Sequence, residues 1–194
     1  MAYKPRDERP GFHHVVTRGN NKQRIFHNDG DRQLFMRTLV RIARRYGWTI
    51  YAYCLMRNHY HLVLRVDERG LARGMCELNT TYALEFNNVH GRINHLFGKR
   101  YWSEHLPDDR RLLNVVRYVV QNPRRAGRDG PLEGYAWSSY AATIGLALSF
   151  APLATGEVLQ LFDRRPDRAI AQFVEFCDSD GAGLRSGPVR RQPP

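Results

Sequence analysis

Two alternating runs, Trp48 to Leu55 and His59 to Val66, are separated by little more than Arg57-Asn58. Side chains on a strand alternate faces, so each run can offer one face to a core. Strands joined by so short a turn pair as an antiparallel hairpin. In the first, Ile50, Ala52 and Cys54 are expected on one face and Tyr51, Tyr53 and Leu55 on the other. In the second, Tyr60, Leu62, Leu64 and Val66 make a core face, which leaves His59 and His61 together on the opposite one. Their Cα atoms would stand roughly 6.5–7 Å apart along the strand. A chain built on this hairpin has to lay its other apolar residues as layers against a sheet.

The remaining elements follow from spacing. Phe12 to Thr17, aromatic and β-branched, reads as a first strand. Arg18-Gly19-Asn20-Asn21-Lys22 follows as a donor-rich turn, either plain turn chemistry or a close approach to phosphate. A helix capped by Asp29 or Asp31 carries Phe35, Leu39, Ile42 and Ala43 on one side and stops at Gly47. A second spans Leu71 to about Val89, with Leu71, Met75, Leu78, Tyr82 and Phe86 as its core stripe. A fourth strand is expected within Arg92 to Trp102, and a third helix from Asp108 or Asp109 to about Gln121, with Leu112, Leu113, Val116 and Val120 inward. Asn122-Pro123 ends or bends it. The order strand, helix, strand, strand, helix, strand, helix predicts an α+β fold, a ferredoxin-like antiparallel sheet with helices on one face.

Past Gly130 the pattern weakens to a short helix within Tyr135 to Gly145 and two more near Glu157–Phe162 and Arg168–Cys177. The expected organisation is a flexible arm over 1–11, an α+β domain over 12–145, a helical appendage over 146–180 and a disordered basic tail over 181–194.

Charge narrows the partners. Lys and Arg number 30 against 19 Asp and Glu, a net +11. That balance favours a polyanion, nucleic acid first. No run approaches the ~18 apolar residues of a membrane span, and Met1 to Pro10 has no signal-peptide core. Three widely spaced cysteines, Cys54, Cys76 and Cys177, give no disulfide framework or zinc ribbon and fit a reducing cytoplasm.

Two imidazoles on one strand face are either surface histidines or the start of a metal site. Tyr118 and Asn122, four residues apart, share a face of the third helix. If that face meets the histidines, the site holds two imidazoles, an amide oxygen and a phenol. Such donors suit Mg²⁺ or Mn²⁺ moderately, and the phenol would be a nucleophile toward phosphate, weak unless the phosphate is polarised. Lys99, Arg100, Arg124 and Arg125 are candidates for backbone phosphates. The interleaved basic and aromatic residues of Arg92 to Trp102 suit a single-stranded nucleic acid, or else a core strand with solvated ends.

Several ordered blocks resemble the REP-associated tyrosine transposases, within the single-tyrosine HUH transposases. They are Val16-Thr17-Arg18-Gly19-Asn20-Asn21, Ile25-Phe26 with Asp31-Arg32 and Phe35, and Tyr46-Gly47 with Ala52-Tyr53-Cys54-Leu55-Met56. Asn58-His59-Tyr60-His61-Leu62, Phe86-Asn87 with Gly91-Arg92, Arg117-Tyr118 with Asn122-Pro123 and Arg125-Ala126-Gly127, and Trp137-Ser138-Ser139-Tyr140 complete the set. The resemblance covers roughly residues 12–145. It implies that His59 and His61 are the metal-binding HUH pair, Asn122 a third ligand and Tyr118 the nucleophile, with Mg²⁺ or Mn²⁺ as cofactor. It further implies cleavage of single-stranded DNA beside hairpin-forming repeats, a 5′-phosphotyrosine intermediate and strand transfer. Arg18, Asn20, Asn21, Lys22, Arg57, Lys99, Arg100, Arg124 and Arg125 would contact the DNA. The expected protein is a monomer or homodimer, cytoplasmic and associated with a bacterial nucleoid. Arg57 departs from the family's usual proline, and Gln121 and Arg124 from commoner apolar residues. The alternative is a catalytically silent or domesticated module that binds or processes hairpins.

Overall fold

The computed structural model describes residues 9–179. Most of the expected arm and all of the expected basic tail, with Arg185, Arg190 and Arg191, lie outside the described residues. Four strands, β1 (Gly11–Arg18), β2 (Thr49–Leu55), β3 (His59–Val66) and β4 (Trp102–Leu106), form one sheet in the order β2-β3-β1-β4. Every neighbouring pair is antiparallel. The expected α+β sheet is therefore present, and the hairpin that anchored the sequence reading is its β2-β3 half.

Helices α1 (Asp29–Tyr46) and α2 (Leu71–Val89) cover one face. Phe35, Leu39 and Ile42 of α1 and Met75, Leu78, Tyr82 and Phe86 of α2 close over Val15, Tyr60, Leu62 and Leu64 in one cluster. The helices do not all lie on that side. Helix α3 (Asp109–Val120) crosses the opposite face, where Leu112, Val115, Val116, Val119 and Val120 meet Cys54, Val63 and Leu106. The physical reason is burial: β2 is covered along nearly its whole length, and a strand buried on both sides needs a layer on each.

Local details correct other expectations. β2 carries a bulge between Ile50 and Ala52, so Ile50, Tyr53 and Leu55 enter the first cluster while Tyr51, Ala52 and Cys54 enter the second. One extra residue breaks simple alternation. The cap of α1 is Asn28, whose side chain accepts from the Asp31 N–H at 3.0 Å, and Asp31 returns the bond as the third helical residue. Gly47 ends α1 at φ 64, as its position implied, and Asp108 caps α3. The fourth strand begins only at Trp102. The run before it spends its backbone bonds on the turn after β1, the Asn20 N–H donating to the Leu96 carbonyl at 2.9 Å.

Beyond α3 comes α4 (Asn122–Arg125), a short helix where Asn122-Pro123 was expected only to end or bend α3, and then α5 (Tyr140–Thr143), α6 (Thr155–Gln160) and α7 (Pro166–Asp178), close to where short helices were expected. Val158 of α6 and Phe173 and Cys177 of α7 fill the cluster behind α3. Among the described residues no helix is long and apolar enough to cross a membrane.

Trp48, 6% exposed, lies against α2 at Gly74. A Cβ at Gly74 would stand 2.2 Å from the indole. Glycine to alanine inside a helix ordinarily stabilises by up to ~1 kcal/mol. Here Gly74→Ala is expected to destabilise by about 1–3 kcal/mol, because the rigid ring has to move. Urea unfolding at equal m-value measures it.

Candidate active site

Strand register gathers the polar face. His14 stands opposite Val63 and Glu104, Val16 opposite His61 and Trp102, and Arg18 opposite His59. Cross-strand partners share a face, so His14, Arg18, His59, His61 and Trp102 all point toward α3. The apolar stripe of α3 binds it down on this face and brings Tyr118 over the imidazoles. The Tyr118 ring centroid is 5.7 Å from that of His61 and 5.9 Å from that of His14. His59 and His61 are 5.0 Å apart, ring to ring. Asn122, at the start of α4 and buried, donates from Nδ2 to the Tyr118 carbonyl at 3.1 Å. The structure thus brings His59, His61, Tyr118 and Asn122 into one place.

The two imidazoles present the same atom. Nδ1 of His59 contacts the Asn58 side-chain oxygen at 2.7 Å, a contact in which the ring nitrogen donates. Nδ1 of His61 contacts Nε2 of His14 at 3.0 Å, the two rings lying nearly parallel at 17°. One of that pair carries the shared proton. Nε2 of His61 is buried and, among the described residues, has no partner at hydrogen-bond geometry. Asn122 nevertheless stands near enough to favour protonation of His59 and His61.

That influence is outweighed. Burial, then the Arg18 charge, pushes His59 down to about 4. Burial pushes His61 well below the ordinary imidazole range, followed by His14, His59 and Arg18. Burial and then Arg111 push His14 down to about 3. All three rings are neutral near pH 7. Neutral imidazoles with an unpartnered buried Nε2, beside an amide, are a donor set that fits a divalent ion.

His14 and Asn58 were missed as site residues. The period of two along β1 places His14 on the face of Arg18, but only the β1-β3 register shows that this is the face of His61. Asn58 sits in the hairpin turn, where an asparagine needs no other explanation.

The expected nucleic-acid contacts separate into groups. Arg18, Asn20, Asn21, Lys22, Lys99 and Arg100 line one cleft of about 390 Å³, floored by Val16 and Trp102. Asn21 and Lys22 hold left-handed φ of 48 and 58, which is unusual for lysine. The turn is closed by Gly19, where a Cβ would meet the Gln23 carbonyl at 2.2 Å. Arg57 is exposed in the adjoining hairpin turn, its carbonyl accepting from the Ile25 N–H at 2.9 Å. The Arg125 guanidinium lies 5.2 Å from the Tyr118 ring centroid. Arg124 instead pairs with Asp178 of α7 at 3.2 Å.

The family model described as Transposase IS200 like matches residues 12–122. No curated protein matches the chain. A solved structure of the REP-associated tyrosine transposase bound to a REP hairpin superposes with a TM-score of 0.64 at 14% identity, covering 80% of this chain and 96% of that one. At that identity the likeness is one of fold. A structure assigned to a transposase of Deinococcus radiodurans R1 aligns at 12% identity over 68% of this chain and 98% of that one, with a TM-score of 0.42.

Proposed function

The chain belongs to the IS200-like transposase family, and from this premise we propose that it cleaves and rejoins single-stranded DNA at hairpin-forming repeats through a covalent tyrosine intermediate. The observation that carries the reading is the Tyr118 ring, 5.7 Å from that of His61, on the one sheet face where the imidazoles and Asn122 converge.

In this reading the Tyr118 oxygen attacks the scissile phosphorus. A tyrosyl O–P bond forms as the bond from phosphorus to the 3′ oxygen breaks. The phenol loses its proton to solvent, and the departing oxygen takes one up to become a free 3′ hydroxyl. The phosphotyrosine ester keeps the energy of the broken linkage, so a second 3′ hydroxyl reseals the strand without a nucleotide cofactor. His59, His61 and Asn122 would hold Mg²⁺ or Mn²⁺, which when bound supplies charge neutralisation at the phosphate. His14 accepts from the His61 Nδ1–H, and Asn58 from that of His59, so each ring keeps its Nε2 lone pair inward. Arg125 draws the phosphate toward Tyr118. The basic cleft carries the backbone on either side. In this reading one chain supplies every group of the site. Residues 12–145 then form the catalytic unit, with α6 and α7 as a brace behind α3.

The fold neighbour is bound to a REP hairpin, which makes hairpins from repeats near the gene the first substrates to try. Incubation with labelled single-stranded hairpin DNA and Mn²⁺ or Mg²⁺ is expected to give a protein–DNA adduct on a denaturing gel, on the 5′-phosphate side, and none with EDTA. Binding without adduct across several hairpins and both metals would overturn the reading and leave a silent hairpin-binding module. Replacing Lys99 and Arg100 together by alanine is expected to weaken hairpin binding and to lower the salt slope of log K by about 1–2. Fluorescence anisotropy over a salt series measures it.

A further inference from the structure

On the side of the sheet away from Tyr118, the start of α1 and the end of α2 bring a second set of donors together. His27 precedes the α1 cap, Asp31 lies in its first turn, and His90 caps α2. One ligand atom from each of the three lies within 4.8 Å of the others. None belongs to the tyrosine site, and nothing in the proposed reaction uses them.

Their placement is built. Asp31 is 3% exposed. Its Oδ2 accepts from the His27 and Asn28 backbone N–H groups at 2.7 and 3.2 Å. That fixes the carboxylate and directs Oδ1 at His90 Nε2, 2.8 Å away. The backbone N–H of His90 donates to the Phe86 carbonyl at 3.0 Å. The His27 and His90 rings are 4.5 Å apart, and the Phe86 ring packs against both, at 5.0 and 4.4 Å. His27 is exposed, which leaves that side open to water.

We propose that His27, Asp31 and His90 form a second metal site, for a transition ion of the zinc class. Two imidazole nitrogens and one carboxylate oxygen suit such an ion, with water completing the shell on the His27 side. Ligand atoms around tetrahedral zinc stand about 3.3 Å apart, so the three atoms, within 4.8 Å of one another, have to close only slightly around an ion.

The ion would act as a staple. It joins the first turn of α1 to the last of α2, beside the run from Gly91 to Gly98, whose last residue lines the basic cleft. That run is tied to the turn after β1 by Arg92 Nη2 donating to Gln23 Oε1 at 2.6 Å and Gln23 Nε2 donating to the Leu96 carbonyl at 2.9 Å. Fixing His90 therefore stiffens one wall of the cleft without touching the cleavage site.

The test uses full-length protein without an affinity tag, titrated with Zn²⁺ against a chromogenic chelator. The His59→Ala/His61→Ala variant removes the other histidine pair and is expected to keep one equivalent. Adding His27→Ala, at an exposed position, is expected to weaken that equivalent at least tenfold, and His90→Gln should do the same. In otherwise unchanged protein, His27→Ala should lower the zinc stoichiometry by one, which covers the case in which the double variant fails to fold. Zinc binding that neither His27→Ala nor His90→Gln alters would overturn the site. So would a double variant that folds and binds no zinc. His90 and Asp31 would then be a hydrogen-bonded pair only. DNA cleavage is not the readout, so failure here leaves the proposed reaction standing.

Discussion

Tyr118→Phe is expected to abolish the covalent DNA adduct while leaving hairpin binding within a few-fold of the original. The substitution removes one oxygen. The ring that packs on His61 and His14, at 5.7 and 5.9 Å, remains, as does the face under the Arg125 guanidinium at 5.2 Å. Phenylalanine therefore keeps α3 seated on the sheet, and thermal unfolding should shift little. The chemistry should not survive, because no phosphotyrosine can form without the oxygen. Loss of a covalent nucleophile costs on the order of 10⁴-fold or more. The denaturing gel reads the adduct and anisotropy reads binding. A Phe variant that still forms an adduct would move the nucleophile elsewhere. A variant that neither binds nor folds would mean that the hydroxyl is part of the scaffold.

How much of this was legible in the chain depends on the range of each interaction. Strand period two put His59 and His61 on one face, and helix period put Tyr118 and Asn122 on another. Both are local regularities; the first holds, and the second survives although α3 ends at Val120, because Asn122 at the start of α4 still bonds back to the Tyr118 carbonyl. That the two faces meet is tertiary; it entered as a condition, joined by the resemblance, and α3 fulfils it by crossing the sheet opposite α1 and α2. His14 escaped because its meaning depends on β1 lying beside β3, 47 residues away in sequence. The bulge at Tyr51 escaped because alternation carries no mark of an inserted residue. Asn28 was passed over as the cap of α1 for aspartates that also cap well; it won because Asp31, three positions on, could return the bond. The set of His27, Asp31 and His90 had no signal in sequence. Asp31 and His90 are 59 residues apart and meet only because α1 and α2 pack together.

Acidification is expected to unfold the protein well before its carboxylates titrate. Burial holds His14 at about 3 and His59 at about 4, and His61 well below the usual range, whereas unfolded histidines titrate near 6.5. Below that value the unfolded chain binds protons that the folded chain refuses, so stability falls as pH falls. Above it all the rings are neutral in both states and the effect vanishes. The window is therefore from pH ~6.5 down to the folded values. At pH 5 each ring that stays neutral costs about 2 kcal/mol relative to pH 7. His14 and His61 are both buried, at 4% and 1% exposure, so each bears that cost nearly in full, and His59, partly open, bears less. Their sum approaches the stability of an ordinary domain, roughly 5–15 kcal/mol. Chemical unfolding at pH 7.5, 6 and 5 in a metal-free buffer should show the fall. His14→Gln should flatten the acid limb by about 1.4 kcal/mol per pH unit, one proton's worth. A level profile from pH 7 to 5 would mean that these imidazoles take up protons in the folded state. The site would then be wet, and its Nε2 atoms would not be held ready for a metal near neutral pH.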